Sequence, residues 1–501
     1  MEPGDEYREQ RLKKLQELRD KGVDVYPYSY DRTDVAADVL KKYEKLNKGD
    51  KDTKRVSIAG RMMTYRPMGK AGFAHVQDQS GQLQIYVRED TVGEKGFLIF
   101  QKLDLGDIIG VKGHVFRTKT GEISIWAEEL TFLTKGLRPL PEKWHGLKDM
   151  ELRYRHRHLD LITNPDVRKT FEARSKMIDV VREYLKGRGF LEVDTPILQP
   201  LYGGANARPF TTFLHDLKMD LYLRISDELY LKRLMIGGFE KVFEIGRDFR
   251  NESIDRSHNP EFTMMECYWA YVDYTKMMEL MEDMVETMAK KVFGTTSFTY
   301  QGKKIEVKKP WTRITMKDAI KQHAKIDVDK MDDEELQTVM RNYNVEMEGD
   351  YCRGIAIELL FEELVENKLV QPTFIIDYPK ESTALCKPKR GSKELIERFE
   401  AFMCGMEIGN AYSELNDPIL QRKTFEDQAK MKECDDEAHP IDHEFVQAME
   451  YGMPPMGGLG VGIDRLVMLL TDSASIRDVI LFPFMKPEVT DEPKKPSKKA
   501  K

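Results

Sequence analysis

The sequence predicts a multidomain α+β protein: a small five-stranded β-barrel, then a larger unit of mixed strands and helices. Three observations point there. At 501 residues the chain is too long for one core, so two or three domains are expected. Residues 55–135 break into short alternating runs separated by turn residues. From residue 168 onward, helical stripes and strand-like runs interleave.

Residues 1–50 read as a helical segment. Leu12, Leu15 and Leu18 recur at helical spacing and Gly22 ends the pattern. Residues 51–138 hold the barrel. Its strands are VSIAGRMMTY, FAHVQD, QLQIYVRE, DIIGVKGHVFR and EISIWAEELTFL, with turns at DQSGQ, LGD and KTGE. An OB-fold is the leading choice, and a small binding barrel of another type is the alternative. Residues 139–167 are proline-bearing and strongly charged and read as a linker.

The larger unit spans 168–486. Phe171, Ile178, Val181 and Leu185 stripe its first helix, closed by Gly187 and Gly189. FLEVDTPIL follows as an extended run whose Pro196 blocks central-strand pairing and suits an edge or interface. Residues 221–226 and 241–250 read as strands flanking the helix DELYLKRLMIGG, and MECYWAYVDY as another strand. Met277, Met281, Met284 and Met288 stripe the next helix as core filling. Residues 310–370 read as a mainly helical insertion, and GLGVGIDRLVMLL as a strand or turn feeding a helix. The Pro- and Lys-rich tail, 487–501, is expected to be disordered.

Composition excludes several classes. Lys and Arg number 79 against 86 Asp and Glu, a net charge of -7, which speaks against a general nucleic-acid coating protein. A local basic face remains compatible with that sum. No apolar run reaches the ~18 residues of a membrane span, and the charged MEPGDEYREQ lacks the apolar core of a secretion signal. Cys267, Cys352, Cys386, Cys404 and Cys434 form no CxxC pair, which favours free thiols in a reducing, cytoplasmic setting. Paired His156 and His158 suit a basic surface better than a metal site.

Three stretches carry chemistry. In KVFEIGRDFR, alternation puts Glu244, Gly246, Asp248 and Arg250 on one face. In FTMMECYWAY it groups Phe262, Met264, Glu266 and Tyr268. Buried charge is costly without partners, so these faces read either as a self-satisfied Arg–Glu pair or as the floor of a charged-ligand site. Arg offers a fork for phosphate or carboxylate, and Phe262 a face for a flat ring. In residues 398–417, Glu400, Glu407 and Glu414 recur every seven residues. That is a solvated stripe if helical, but two glycines favour a bent strand whose acids suit a divalent metal or an amine. GGLGVGIDRL has alternating Gly458, Gly460 and Gly462 before Arg465 and lacks the Lys-Ser/Thr of a P-loop.

In order, FLEVDTP, FRNE…HNPEF and GLGVGIDRL resemble motifs 1, 2 and 3 of class II aminoacyl-tRNA synthetases. The resemblance is closer to the lysyl-specific family of subclass IIb. GGANARPF, LYLRISDELYLKRL, HNPEFTMMECYWAY, EIGNAYSELND and YGMPPMGGLGVGIDRLVML look like its segments, and AGRMMTYRPMGKAGFAHVQD like its anticodon-binding barrel. The likeness covers residues 5–485. It implies a catalytic domain with an antiparallel sheet flanked by helices, a homodimer through the Pro196 region, and no membrane association. It implies Mg2+ as cofactor, with ATP, L-lysine and tRNA(Lys) as partners.

The resemblance also implies roles. Arg250 bridges the α-phosphate and the amino-acid carboxylate, and Arg465 contacts the γ-phosphate beside Gly462; these two arginines are the expected catalytic groups. Glu252 and His258 hold the ATP end of the loop, and Phe262 stacks on adenine. Glu400 and Glu407 hold magnesium. The Gly204 backbone and Glu228 match the contacts to the α-amine of lysine, Asn410 lies near the carboxylate, and Glu266, Tyr268 and Glu414 match the ε-amine end. In the barrel, Phe73 stacks on an anticodon base, Gln84 and Glu122 touch base edges, and Arg61 holds the backbone; the alternative for Phe73 is barrel core. ISDELY stands where the family usually has IAPELY, and Asp227 is a plausible cap for the helix that carries Glu228. Relatives specific for aspartate or asparagine need a cationic pocket. Acids at these positions favour lysine.

Overall fold

The computed structural model describes residues 5–141, 147–347, 349–431 and 441–487. The chain divides after Leu147 into two compact units. In the first, β1 (Lys51–Met68), β2 (Ala71–Gln77), β3 (Gln82–Arg88), β4 (Ile108–Arg117) and β5 (Ile123–Thr134) close into a barrel in the order β1-β2-β3-β5-β4. Period-two alternation builds it. Ala74, Val76, Leu83, Ile85, Val115 and Ile125 point inward and are fully buried. Phe73, Tyr86 and Trp126, which alternate with them, point outward and are only half-buried. Phe73 is therefore not barrel core. A helix at Glu89–Lys102, which the strand pattern does not foretell, packs Phe97, Ile99 and Phe100 against this unit's core.

In the second unit β6 (Leu191–Glu192), β7 (Leu198–Gln199), β8 (Thr211–Leu214), β9 (Met219–Leu223), β10 (Lys241–Phe249), β11 (Glu261–Ala270), β12 (Ser297–Tyr300), β13 (Lys303–Glu306), β14 (Thr312–Thr315), β15 (Thr373–Pro379), β16 (Leu395–Met403), β17 (Met406–Ser413) and β18 (Met456–Gly462) follow in chain order. Eight of them form one sheet, ordered β14-β15-β16-β17-β18-β11-β10-β6. Its centre is antiparallel, and the edge pairs β14–β15 and β10–β6 are parallel.

One face of the sheet is the core. Phe243, Met265, Cys267, Phe399, Ala401, Ala411, Leu459 and Val461 point there, against helices Pro165–Lys186, Tyr274–Phe293 and Ile463–Leu470. The stripe Met277, Met281, Met284 and Met288 is buried in it, as the helical spacing predicts. Burying each such side chain is worth roughly 1.5–3 kcal/mol. The alternate residues of the same strands are left for the other face, and these are the polar ones.

Two features differ from the sequence reading. The expected linker holds helices Met150–Arg155 and Arg157–Thr163. Asp149 caps the first by accepting from the backbone N–H of Glu151 and Leu152. Arg157 is buried against Asp160 and donates to the carbonyls of Arg477 and Leu481, so charge marks an internal anchor there. The extended run at 190–199 pairs over only two residues on either side of Pro196, in β6 and β7. Four cysteines are free among the described residues. Cys434 and the tail from 488 lie outside them, as does most of the expected disordered end.

Candidate functional site

The polar face owes its shape to register. Glu244 on β10 lies opposite Glu266 on β11, Glu266 opposite Gly460 on β18, Gly460 opposite Asn410 on β17, and Asn410 opposite Glu400 on β16. A parallel row runs Tyr268–Gly458–Tyr412–Arg398. The central strand contributes Gly458, Gly460 and Gly462 to this face, so it forms the floor of a trough. A Cβ on Gly458 would stand 2.0 Å from Glu414 Oε1 and 2.5 Å from Tyr268 Cε1. The resulting cavity has a volume of about 400 Å³ and is lined by Gly204, Glu228, Arg250, Glu252, His258, Phe262, Glu266, Tyr268, Glu400, Glu407, Asn410, Glu414, Gly462 and Arg465 among others. Every catalytic-domain residue expected to touch ATP, lysine or magnesium thus faces one space.

At one end the cavity is acidic. Tyr268 Oη donates to Glu266 Oε2 at 3.1 Å, and Ser226 Oγ donates to Glu266 Oε1 at 3.0 Å. Burial pushes the Glu266 carboxyl up to about 7, with Asp248 and Glu228 adding to the shift. Glu228 and Glu414, expected at opposite ends of an amino acid, are both ion-paired to Lys232 Nζ at 2.5 Å. Burial pushes Glu414 up to about 8 against the pull of Lys232. The carboxyl of Glu266 also lies with those of Asp227 and Asp248 in a buried trio whose oxygens come within 4.8 Å. Gly204 adopts φ +90°, and a Cβ there would stand 3.0 Å from Ser226 Oγ.

The other end suits phosphates. Arg250 lies with its guanidinium 5.1 Å from the centre of the Phe262 ring and donates to the Ile225 carbonyl at 3.4 Å. A planar base on Phe262 and an anion on Arg250 are thus neighbours by construction. Arg465 donates to the carbonyl of Glu407 at 2.7 Å and to Glu407 Oε2 at 3.1 Å. It also reaches His258 Nε2 at 3.3 Å, while Asp255 takes His258 Nδ1 at 2.8 Å. Glu252 is exposed on the loop.

Glu400 accepts from Tyr378 Oη at 2.9 Å and is ion-paired to Arg398. Burial raises it to about 8, Arg398 opposing and Glu407 reinforcing the rise. Glu366 is raised to about 7 by burial and by nearby Glu362 and Glu407. Hard oxygen donors with such surplus negative charge fit a divalent cation. The sevenfold spacing of Glu400, Glu407 and Glu414 comes from a hairpin: Cys404 and Gly405, both at positive φ, join β16 to β17. Asn410 sits between Arg398 Nε at 3.4 Å and Tyr412 Oη at 3.2 Å.

Asp227 does not cap its helix. Its side chain makes no capping bond, and Ser226 Oγ accepts from the Glu228 N–H instead. Asp227 is turned toward Glu266, and burial holds its carboxyl well above the usual range. Lys232, Arg398 and Tyr412 escape the sequence reading, and Asp227 is assigned a different role there. The Glu228–Lys232 spacing of four was the one available signal.

The barrel brings Phe73, Gln84 and Glu122 together. Gln84 Nε2 donates to Glu122 Oε2 at 2.7 Å, and His75 Nε2 lies 2.7 Å from Glu122 Oε1. Phe73 stands across from Tyr86, ring centres 4.6 Å apart. Arg61 does not join them. Its guanidinium donates to the Gly106 carbonyl at 2.7 Å, and it pairs with Gln77, whereas Arg66 is the residue opposite Phe73. Five residues of strand separate the two arginines, about 16 Å at ~3.3 Å per residue.

Comparisons with known proteins agree with this geometry. The family model described as tRNA synthetases class II (D, K and N) matches residues 149–486. That described as OB-fold nucleic acid binding domain matches residues 56–133. A lysine--tRNA ligase of Pelotomaculum thermopropionicum is 54% identical over 481 residues, covering 95% of this chain and 94% of its own length. One from Carboxydothermus hydrogenoformans is 52% identical, covering 95% and 97%. One from Clostridium perfringens is 51% identical, covering 95% and 96%.

Proposed function

The chain belongs to the class II tRNA synthetase family (D, K and N), and from that premise we propose how its residues attach lysine to tRNA. The reaction has two steps. The lysine carboxylate attacks the α-phosphorus of ATP, forming lysyl-adenylate and releasing diphosphate. A hydroxyl of the terminal tRNA ribose then attacks the adenylate carbonyl, and AMP leaves. Neither step needs a protein nucleophile, so catalysis is positioning and charge neutralisation.

The observation that carries the choice of lysine is the acidic end of the trough, where Glu228, Glu266 and Glu414 are all buried. A buried carboxylate rewards an ammonium and leaves a neutral or acidic analogue with an unpaired charge. Glu266, Tyr268 and Glu414 take the ε-amine. Glu228 and the Gly204 backbone take the α-amine, and Asn410 lies toward the carboxylate. Arg250 holds the α-phosphate against that carboxylate, Phe262 carries the adenine, and Glu252 and His258 hold the loop end of ATP. Arg465 takes the γ-phosphate, with Gly462 leaving room beside it. Glu400 and Glu407 hold magnesium, which when bound neutralises the phosphate oxygens.

The barrel reads the anticodon through Phe73, Gln84 and Glu122. The enzyme acts as a homodimer through the segment around Pro196, supported by exposed Leu191, Ile197, Leu198, Phe213 and Leu217 on and between β6, β7, β8 and β9. No helix among the described residues is long and apolar enough to cross a membrane, and a cytoplasmic location is the reading that fits the free thiols.

The test is ATP–diphosphate exchange driven by lysine, aspartate or asparagine, with Arg250→Ala as control. Lysine alone should drive exchange, and Arg250→Ala should abolish it without lowering the melting temperature. Exchange driven by aspartate would overturn the assignment of the pocket. Near-normal exchange in the variant would remove Arg250 from the α-phosphate.

A further inference from the structure

The outward face of the barrel carries more than the trio Phe73, Gln84 and Glu122. Its registers place one residue from each strand in a single row: Arg66, Phe73, Tyr86, Trp126 and His114. The rings follow one another at close range. Phe73 and Tyr86 lie 4.6 Å apart, tilted by 31°. Tyr86 and Trp126 lie 5.0 Å apart, edge to face at 79°. Phe116 closes on Trp126 at 5.5 Å.

A core function for this row is ruled out by direction. Ile85, Ile125 and Val115, each next to a row residue, already fill the barrel interior with no exposure. Tyr86, Phe116 and Trp126 remain half-buried on the outside. Among the described residues this outward aromatic cluster stays partly open, which suits an occupant. Two cations approach the Trp126 ring, Lys51 Nζ at 5.0 Å and Arg88 Cζ at 5.6 Å from its centre. Both sit at the ends of long side chains, and Lys51 is exposed. Aromatic faces interleaved with basic side chains are the arrangement that binds single-stranded nucleic acid: rings take the bases and cations take the phosphates. Strand spacing near 4.8 Å puts Trp126 about 10 Å from Phe73, beyond the reach of one base.

We propose that Trp126, with Lys51 and Arg88, forms a second stacking subsite on the barrel, which takes a nucleotide flanking the anticodon triplet. This rests on the reading of Phe73 as the stacking partner of a triplet base. The base lies on the Trp126 face while Lys51 and Arg88 swing from the ring to the flanking phosphate. The subsite adds affinity without reading sequence, because every base has a face to stack. Gln84 and Glu122, whose edges are directional, retain the discrimination.

The test uses the full-length protein and a synthetic anticodon stem-loop RNA with a uridine-rich triplet. Binding is measured by fluorescence anisotropy for wild type, Phe73→Ala, Trp126→Ala and Trp126→Phe. Each is measured on the intact RNA and on RNAs carrying an abasic site on either side of the triplet. Trp126→Ala should weaken the intact RNA by roughly tenfold, the order of one lost stack, and Trp126→Phe should recover most of it. One flanking abasic site should weaken wild type by a similar factor and leave Trp126→Ala unchanged. Lysine-driven exchange should be untouched in the Trp126 variants. Trp126→Phe keeps a ring in place and carries the same abasic comparison if Trp126→Ala lowers the melting temperature. If Phe73→Ala weakens binding while Trp126→Ala and both abasic RNAs bind like their controls, the second subsite is wrong and the first stands. If Phe73→Ala has no effect, the anticodon reading itself fails.

Discussion

Lys232 Nζ stands 2.5 Å from Glu414 Oε2 and equally close to Glu228 Oε1, so an ammonium of the protein itself occupies the acidic end of the trough. Burial disfavours its charge, but Glu228 and Glu414 more than compensate, and its pKa is raised. The consequence is a count of charges. Three carboxylates meet one internal ammonium, and lysine brings two more positive groups. Lys232→Met should leave Glu228 and Glu414 as like charges without a counter-ion, at a cost of about 3–5 kcal/mol for breaking a buried pair. Pairing it with Glu414→Gln should recover part of that loss. Thermal midpoints of the single and double variants check this; equal losses in both would mean that Lys232 serves something other than Glu414.

The raised carboxyls set a pH dependence. Burial holds Glu266 near 7 and Glu414 near 8 in the free protein. Both lie above the ordinary value of 4.5, so they contribute stability that is present below that value and is lost as pH rises through the raised values. Lysine reverses the balance, since its ammonium favours the ionised acids. Binding should release protons and should weaken as pH falls through 7. With one governing group at about 7, affinity drops roughly tenfold between pH 8 and pH 6. Calorimetry in two buffers of different ionisation enthalpy measures the protons directly. Lysine affinity that is flat from pH 8 to pH 6 would show that these groups are already ionised in the free protein.

Gly458 is where a single methyl should matter most. Its Cβ would collide with Glu414 Oε1 and Tyr268 Cε1, both fully buried and unable to retreat. Overpacking of this kind costs about 1–3 kcal/mol and distorts its neighbours. Gly458→Ala should therefore raise the lysine KM in exchange by one to two orders of magnitude, the equivalent of that range. The ATP KM should change little, because Phe262 and Arg250 lie away from the collision. Equal effects on both substrates would place the damage in the sheet as a whole rather than in the amine pocket.

Period-two alternation made much of this site legible. Glu244 with Asp248 and Arg250, and Phe262 with Glu266 and Tyr268, could be grouped from their own strands, and register then brought the two groups together. The glycines of β18 could be seen to alternate, but their purpose depends on a partner strand more than forty residues away. What alternation could not supply was pairing across long loops. Arg61 rests on resemblance alone, and the register with β2, shifted by an irregularity between Met62 and Thr64, puts Arg66 opposite Phe73 instead. Alternation also missed the hairpin at Cys404 and Gly405, so acids seven apart had an ambiguous origin. Asp227 failed for another reason. The first position of a helix favours capping by Asp, yet Ser226 already satisfies the backbone, and the aspartate is released to face Glu266.

That released carboxyl yields the last prediction. Asp227 is 2% exposed, its carboxyl is held well above the usual range by burial and by Glu266, and it hydrogen-bonds to Glu266. Two buried acids in contact share one proton, and the pair titrates as a unit. We expect Asp227 to keep the proton and act as the donor, which favours the ionised form of Glu266 that the ε-ammonium needs. The function of Asp227 is then that of a neutral donor. Asp227→Asn keeps a donor of the same shape and should change lysine affinity by less than about 1 kcal/mol, while Asp227→Ala removes a hydrogen bond to a charged group and should cost about 1.5–3 kcal/mol. The Ala variant should also need a higher pH for half-maximal lysine binding, because Glu266 loses the donor that favours its ionised form. Lysine titrations of both variants from pH 6 to pH 9 decide it. If Asn is as damaging as Ala, Asp227 acts as an anion, and the proton resides on Glu266 instead.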